Sequence, residues 1–168
     1  MTAIRLRALI AAPNPTVLAG CYDGVSARLV QQAGFQAVHM SGFAVAGSLL
    51  GKPDVGLLTM TEMADAASRL ARVLSIPLLA DADTGYGNAL NVVRTVEAYI
   101  AAGVAGMHLE DQQMPKRCGH LAGKMVVSPD EMASKLRAAI DTRDDAGIDM
   151  VIIARTDAVA SEGLEAAI

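Results

Sequence analysis

The chain has 168 residues, of which 52% are hydrophobic and 19% charged, a balance that belongs to globular domains and not to disordered chains. A formal net charge of −4 without any basic block argues against nucleic acid and anionic membranes as partners, and no apolar run approaches the roughly 20 residues that span a bilayer. The two cysteines, Cys21 and Cys118, are too few for a disulfide framework, so a reducing cytoplasm is the expected compartment.

The N-terminal stretch MTAIRLRALIAAPNP reads as a short amphipathic helix; as a signal peptide it is poor, because Arg7 breaks the apolar run and Pro13 ends it. Five apolar runs then predict strands: 17–23, 37–42, 77–83, 106–111 and 150–157. Each is nearly continuous in apolar residues at its centre, as strands covered on both faces are. Between them, Met63, Ala66, Ala67, Leu70, Val73 and Leu74 follow helix spacing, with Thr59 or Thr61 as the N-cap. Ala89, Val92, Val93, Val96 and Ile100 repeat that spacing and Gly103 offers a stop. Ser128, Pro129 and Glu131 predict a capping box, followed by a buried stripe of Met132, Leu136 and Ile140 that ends at Gly147.

Alternating strands and helices imply a parallel sheet. The polar residues choose between an open doubly wound sheet and a (β/α)8 barrel. His39/Ser41, Asp81/Asp83, His108/Glu110 and Arg155/Asp157 each stand two apart at a strand's C-terminal end, so each pair shares a face. Such a cluster is how a barrel builds its active site, whereas an open sheet uses the loops at one switch point, and no GxGxxG follows the first strand. A barrel of this type takes about 250 residues. The expectation is therefore that residues 1–168 are the N-terminal portion of a single (β/α)8 barrel domain, about five β/α units of it, as a fragment or a truncated product.

Several stretches carry candidate chemistry. In DADTGYG, Asp81 and Asp83 offer hard oxygens to a Mg²⁺-like ion, and Thr84, Gly85 and Gly87 offer a tight loop for an anion; a plain strand end and helix cap is the alternative. Glu110 would complete an acidic cluster around one cation, while His108 reads as a hydrogen-bonded core histidine. Ser41 and Gly42 suit a carboxylate or an ordinary strand-to-helix turn, and Asp54 a carboxylate just outside a metal's own ligands or a turn residue. Arg155 needs an anion, either a substrate carboxylate or an ion pair with Asp157 or Glu110. In PKRCGHLAGK, Lys116, Arg117 and His120 would favour the thiolate of Cys118, and proton transfer at a carbon atom beside a metal-bound substrate fits it better than zinc or acyl transfer.

Taken in order, SGF…GKPDVGLLTMTEM, LLADADTGYGN, HLEDQQMPKRCGH and IIARTDA resemble the isocitrate lyase/phosphoenolpyruvate mutase superfamily over nearly the whole chain. The KRCGH pentapeptide resembles the carbon–carbon lyase branch, whose small members act on 2-methylisocitrate, 2,3-dimethylmalate or oxaloacetate; phosphonate-bond enzymes of the superfamily are the alternative. The resemblance implies a Mg²⁺-dependent retro-aldol cleavage of a 2-hydroxy di- or tricarboxylate, with Mn²⁺ as a possible substitute. By motif, Asp83 would be the principal metal ligand, Asp81 a direct or water-mediated one, Glu110 a ligand through water and Asp54 a residue of the outer shell. Ser41, Gly42, Gly119 and Arg155 would hold substrate, Lys116, Arg117 and His120 would act on a gating loop, and Cys118 would protonate the departing carbanion. It also implies a homo-oligomer, a tetramer, at full length. A catalytically inactive truncated fragment is the rival expectation, since the family's later strands supply further site residues.

Overall fold

The computed structural model describes residues 2–168. Helix α1 (Thr2–Ile10) precedes an alternation of β1 (Ala19–Cys21), α2 (Gly24–Gln32), β2 (Val38–Met40), α3 (Gly42–Leu50), α4 (Met60–Val73), β3 (Leu78–Asp81), α5 (Ala89–Ala102), β4 (Gly106–Glu110), α6 (Pro129–Asp145) and β5 (Val151–Arg155). Two single-turn helices follow, α7 (Val159–Glu162) and α8 (Leu164–Ala167). The five strands form one sheet in the order β1-β2-β3-β4-β5, every pair parallel, which is an α/β arc matching part of a TIM barrel. All five expected strands are present, each shorter than its apolar run.

The helix starts follow side-chain chemistry. Thr59, not Thr61, caps α4, and Glu62 reaches back to the Thr59 N–H at 2.8 Å, a closed capping box. Asn88 caps α5 and Gly103 ends it in the left-handed conformation, φ +83°. Ser128 accepts the Glu131 N–H at 3.2 Å and Pro129 takes the first helical position of α6. The expected return bond of that box is replaced: Glu131 lies instead 3.7 Å from Lys135. The stripe is corrected too. Met132, Lys135 and Ala139 are the buried residues of α6, and Ile140 is 38% exposed. The helix is rotated so that the Lys135 ammonium reaches the Thr84 carbonyl at 3.3 Å.

The two faces of the sheet differ. Cys21, Val38, Met40, Leu78, Ala80, Met107 and Leu109 pack with Met63, Leu70, Val92, Val96 and Tyr99 of α4 and α5 in the main core. The alternate residues point the other way. At the N-terminal end of that inner face, Ala37, Ala105 and Val151 bury against Leu6 of α1, with Leu9, Leu18, Leu79 and Ile153 alongside. Gly106 belongs here because a Cβ on it would meet Leu6 Cδ2 at 2.8 Å and the Val151 carbonyl at 2.9 Å. At the C-terminal end the same face turns polar, with His39, Asp81, His108, Glu110 and Arg155.

Candidate active site

The end of β3 sets the geometry. Asp83 has φ +46°, a left-handed conformation uncommon outside glycine and found disproportionately at functional sites. Its N–H donates to Asp81 Oδ1 at 2.9 Å. The Gly42 N–H donates to the other oxygen, Asp81 Oδ2, at 3.1 Å. Only glycine fits there, since a Cβ at 42 would lie 2.7 Å from Asp81 Oδ2 and 3.6 Å from Asp83 Oδ1. Ser41 caps α3, accepting the Ala44 N–H at 3.4 Å. Ser41 and Gly42 are thus both engaged within the fold. Gly85 and Gly87, read from the sequence as a tight loop for an anion, have a packing role in the fold. A Cβ on them would strike Val92 and Asn91, so they permit close packing on α5.

Two long cations reach this corner. The Lys116 ammonium lies 2.6 Å from Asp54 Oδ1 and 2.5 Å from Asp83 Oδ1, with its side chain 3% exposed. Arg155 stands 3.1 Å from Glu110 Oε2 and 3.0 Å from Asp157 Oδ2, so both ion pairs weighed for it are formed. His39 and His108 share a 2.8 Å Nε2···Nε2 hydrogen bond with stacked rings, and His108 Nδ1 lies 3.8 Å from Asp81. This is the core histidine that was expected, now with a named partner.

Segment 112–124 folds over the strand ends. Gln112 brackets Arg117, accepting its N–H at 2.9 Å and donating to its carbonyl at 3.0 Å. Asp157 is the second anchor, accepting from Gln112 and from Lys124 Nζ at 3.1 Å. Lys124 also donates to the Gly119 carbonyl, and a Cβ on Gly119 would lie 2.7 Å from Arg155 Nη2. Cys118 is partly exposed; its N–H donates to the Asp54 carbonyl at 2.9 Å and its Sγ sits 3.5 Å from His120 Nδ1. The expectation that Lys116 and Arg117 serve the thiol is corrected. Lys116 is drawn to Asp54 and Asp83, and Arg117 donates to the Ala122 carbonyl at 3.0 Å. Gln112 and Lys124 were missed as site residues, because nothing local in the sequence marks contacts made between β5 and a loop after β4.

The electrostatics are uneven. Burial, aided by the Asp81 charge, raises Asp83 to about 6 despite Lys116. Burial likewise raises Glu110 to about 8 against the pull of Arg155 and Lys116. Burial would raise Asp81 as well, but His108, the two backbone N–H donors and Lys116 outweigh it and hold the carboxyl below its usual value. Both histidines are lowered by burial. The carboxyl groups of Asp54, Asp81, Asp83 and Glu110 therefore share two cations, Lys116 and Arg155, and the raised values of Asp83 and Glu110 reflect burial together with that shortage.

Fit to a divalent cation is tested by the atoms left over. Among the described residues, Glu110 Oε1 is buried without a hydrogen bond, and the buried Asp83 Oδ1 is met by the Lys116 ammonium alone. Hard oxygens in a cluster where carboxyl groups outnumber cations suit such an ion. The three-carboxylate cluster expected from the sequence is not assembled, however. Among the described residues no group of three His, Cys, Asp or Glu side chains converges to hold a metal. Lys116 and Arg155 hold Asp83 and Glu110 instead, which leaves an ion with one or two protein oxygens and water for the rest. A separate cleft of about 300 Å³ between α2, α3 and α4 contains none of these residues.

Comparisons with known proteins place the chain among relatives of the same fold. The family model described as phosphoenolpyruvate phosphomutase matches residues 6–168. A 2,3-dimethylmalate lyase of Eubacterium barkeri is 47% identical over 99% of this chain and 57% of its own length. A chloroplastic carboxyvinyl-carboxyphosphonate phosphorylmutase of Arabidopsis thaliana is 51% identical over 98% of this chain and 49% of its own. A solved oxaloacetate acetylhydrolase bound to 3,3-difluorooxalacetate superposes with a TM-score of 0.94 at 47% identity, over 98% of this chain and 56% of that one. The chain thus spans about half the length of these relatives. Strand order, the placement of Asp81, Asp83 and Glu110 at the strand ends, and the family match together show that the chain belongs to the phosphoenolpyruvate mutase/isocitrate lyase superfamily.

Proposed function

We propose that the protein carrying this chain is a divalent-cation-dependent lyase that breaks a carbon–carbon bond of a 2-hydroxy di- or tricarboxylate, of the 2,3-dimethylmalate or 2-methylisocitrate type, to give pyruvate and a second carboxylic acid. The observation that carries it is the buried excess of carboxylate at Asp54, Asp81, Asp83 and Glu110, directly beneath a loop bearing Cys118. Asp83 would hold Mg²⁺, or Mn²⁺ in its place, with Asp81 beside it and Glu110 acting through water. Bound there, the ion would polarise the hydroxyl and carboxylate of the pyruvate half. Arg155, once released from Glu110, is the group for the substrate carboxylate, because its planar fork matches that shape. Ser41, Gly42 and Gly119 line the same mouth.

A buried carboxylate at the strand ends takes the proton of the substrate hydroxyl, and cleavage turns the hydroxyl carbon into the keto carbon of pyruvate. It leaves the bonding pair on a carbon that the neighbouring carboxylate stabilises as an enediolate. Cys118 supplies a proton to that carbon, and His120, 3.5 Å from the sulfur, orients and reprotonates the thiol. The 112–124 segment excludes water while the carbanion exists. The reading includes a soluble cytoplasmic enzyme that self-associates, as a tetramer, at full length. No described helix is long and apolar enough to cross a membrane.

The test is pyruvate release from 2,3-dimethylmalate and 2-methylisocitrate, with Mg²⁺ and with chelator, by the full-length protein. Mg²⁺-dependent pyruvate from one of these hydroxy acids is expected, and none from either sinks the lyase reading. A phosphorus–carbon enzyme is the second reading, favoured by the phosphorylmutase relative. Turnover of a phosphonate with no action on hydroxy acids would establish it. Oxalate and acetate from oxaloacetate would point instead to the hydrolase likeness.

A further inference from the structure

Lys116 belongs to a loop, yet its side chain is 3% exposed. Its ammonium touches Oδ1 of Asp54 and Oδ1 of Asp83, one on each side. Among the described residues, that Asp83 oxygen has no polar partner besides this ammonium. An ammonium is a compact point charge on a flexible stem, so it neutralises a carboxylate much as an ion does. The oxygen it covers is also the one best suited to a hard cation, since Asp81 Oδ1 and Oδ2 are already taken by the N–H groups of Asp83 and Gly42. Two cations cannot both sit on Asp83 Oδ1 without strong repulsion in so buried a place.

We propose that Lys116 is the resident counter-cation of the carboxylate site and that a divalent cation displaces it from Asp83 Oδ1, which couples loading of the ion to the loop that carries Cys118. This rests on the divalent-cation reading above. Lys116 is here a positioning residue. While it sits on Asp83 it keeps the acidic pocket tolerable and draws 116–118 down, where the Cys118 N–H meets the Asp54 carbonyl. Once displaced, the lysine lacks its Asp83 partner and becomes available to an arriving anionic substrate. The order that follows is ion first, loop loosened, substrate next.

Two measurements on the full-length protein test this. The first titrates Mn²⁺, followed by the electron paramagnetic resonance of the free ion, against wild type and Lys116→Gln. Removal of the competitor should tighten Mn²⁺ binding about tenfold or more. The second needs no substitution. Cys21 is fully buried and Cys118 is partly exposed, so the part of maleimide alkylation that Cys118→Ser abolishes reports Cys118. Mg²⁺ without substrate should speed that reaction severalfold in wild type and leave a uniformly fast K116Q unchanged. Mg²⁺ that slows wild-type alkylation or has no effect on it overturns the exchange. So does equal Mn²⁺ affinity in the two proteins, which would leave the cation reading standing. Absence of Mn²⁺ binding in both removes the cation reading and the exchange together.

Discussion

On the inner face of the sheet, Ala37, Leu79, Gly106 and Ile153 are followed two residues later by His39, Asp81, His108 and Arg155. The first set is closed off by Leu6 and Leu9 of α1; the second carries the excess of carboxylate. One step of the two-residue strand period separates a packed hydrocarbon cluster from a site with unpaired buried oxygens. The lower half is stable as it stands, since burial of apolar surface requires no partner. The upper half buries carboxyl groups that outnumber their cationic partners, which is costly and is retained where it serves chemistry. Stability and function are thus divided along the same five strands, and the predictions below are attempts to mix them.

The largest effect is expected from Asp83→Ala, which should lower pyruvate formation by about four orders of magnitude, the loss of a principal metal ligand. Isothermal titration should show Mg²⁺ binding lost while circular dichroism shows the fold kept. Cys118→Ser should lower turnover about a thousandfold, in the range of a lost general acid, with Mg²⁺ binding intact. Loss of ion binding in C118S would reassign the thiol as a ligand. In the lower half the effects reverse. Leu6→Ala opens a cavity at a fully buried position and should cost about 3 kcal/mol of stability in denaturant unfolding, with turnover per folded molecule unchanged. Gly106→Ala should cost about 1–3 kcal/mol by overpacking, because its new Cβ meets Leu6 and the Val151 carbonyl within 3 Å.

The smallest effect is one of pH. Asp83 at about 6 and Glu110 at about 8 lie above the roughly 4 of the same groups unfolded. Between those values the native state binds protons that the unfolded chain has released, so stability falls as pH climbs from about 4 through 6 and 8. An ion that requires ionised carboxylates offsets that loss. The rise in Tm on adding Mg²⁺ should therefore be larger near pH 8 than near pH 5.5, as scanning calorimetry would show; an equal rise at both would mean that neither acid takes part in holding the ion.

Much of this division was legible in the sequence because it depends on strand period. His39/Ser41, Asp81/Asp83, His108/Glu110 and Arg155/Asp157 announce one polar face at the strand ends, and the structure keeps them together. Thr59, Gly103 and Pro129 likewise act through neighbours a few residues away. What could not be read depends on contacts between distant segments. Lys116 stands beside Cys118 in the chain, so it looked like a tuning charge for the thiol, but it pairs with Asp54 and Asp83 in space. Lys135 interrupts the expected apolar stripe of α6 because the Thr84 carbonyl waits beneath it. Helix α3 was hidden by its two glycines, Gly42 being required by the approach of Asp81 and not by helix propensity.

The most direct test of the division is pyruvate release from 2,3-dimethylmalate with saturating Mg²⁺, measured side by side for full-length wild type, C118S and L6A at a temperature where all three are folded. The account predicts wild-type turnover per folded molecule in L6A and a loss of about a thousandfold in C118S. Equal losses in the two variants, or full activity in C118S, would contradict it.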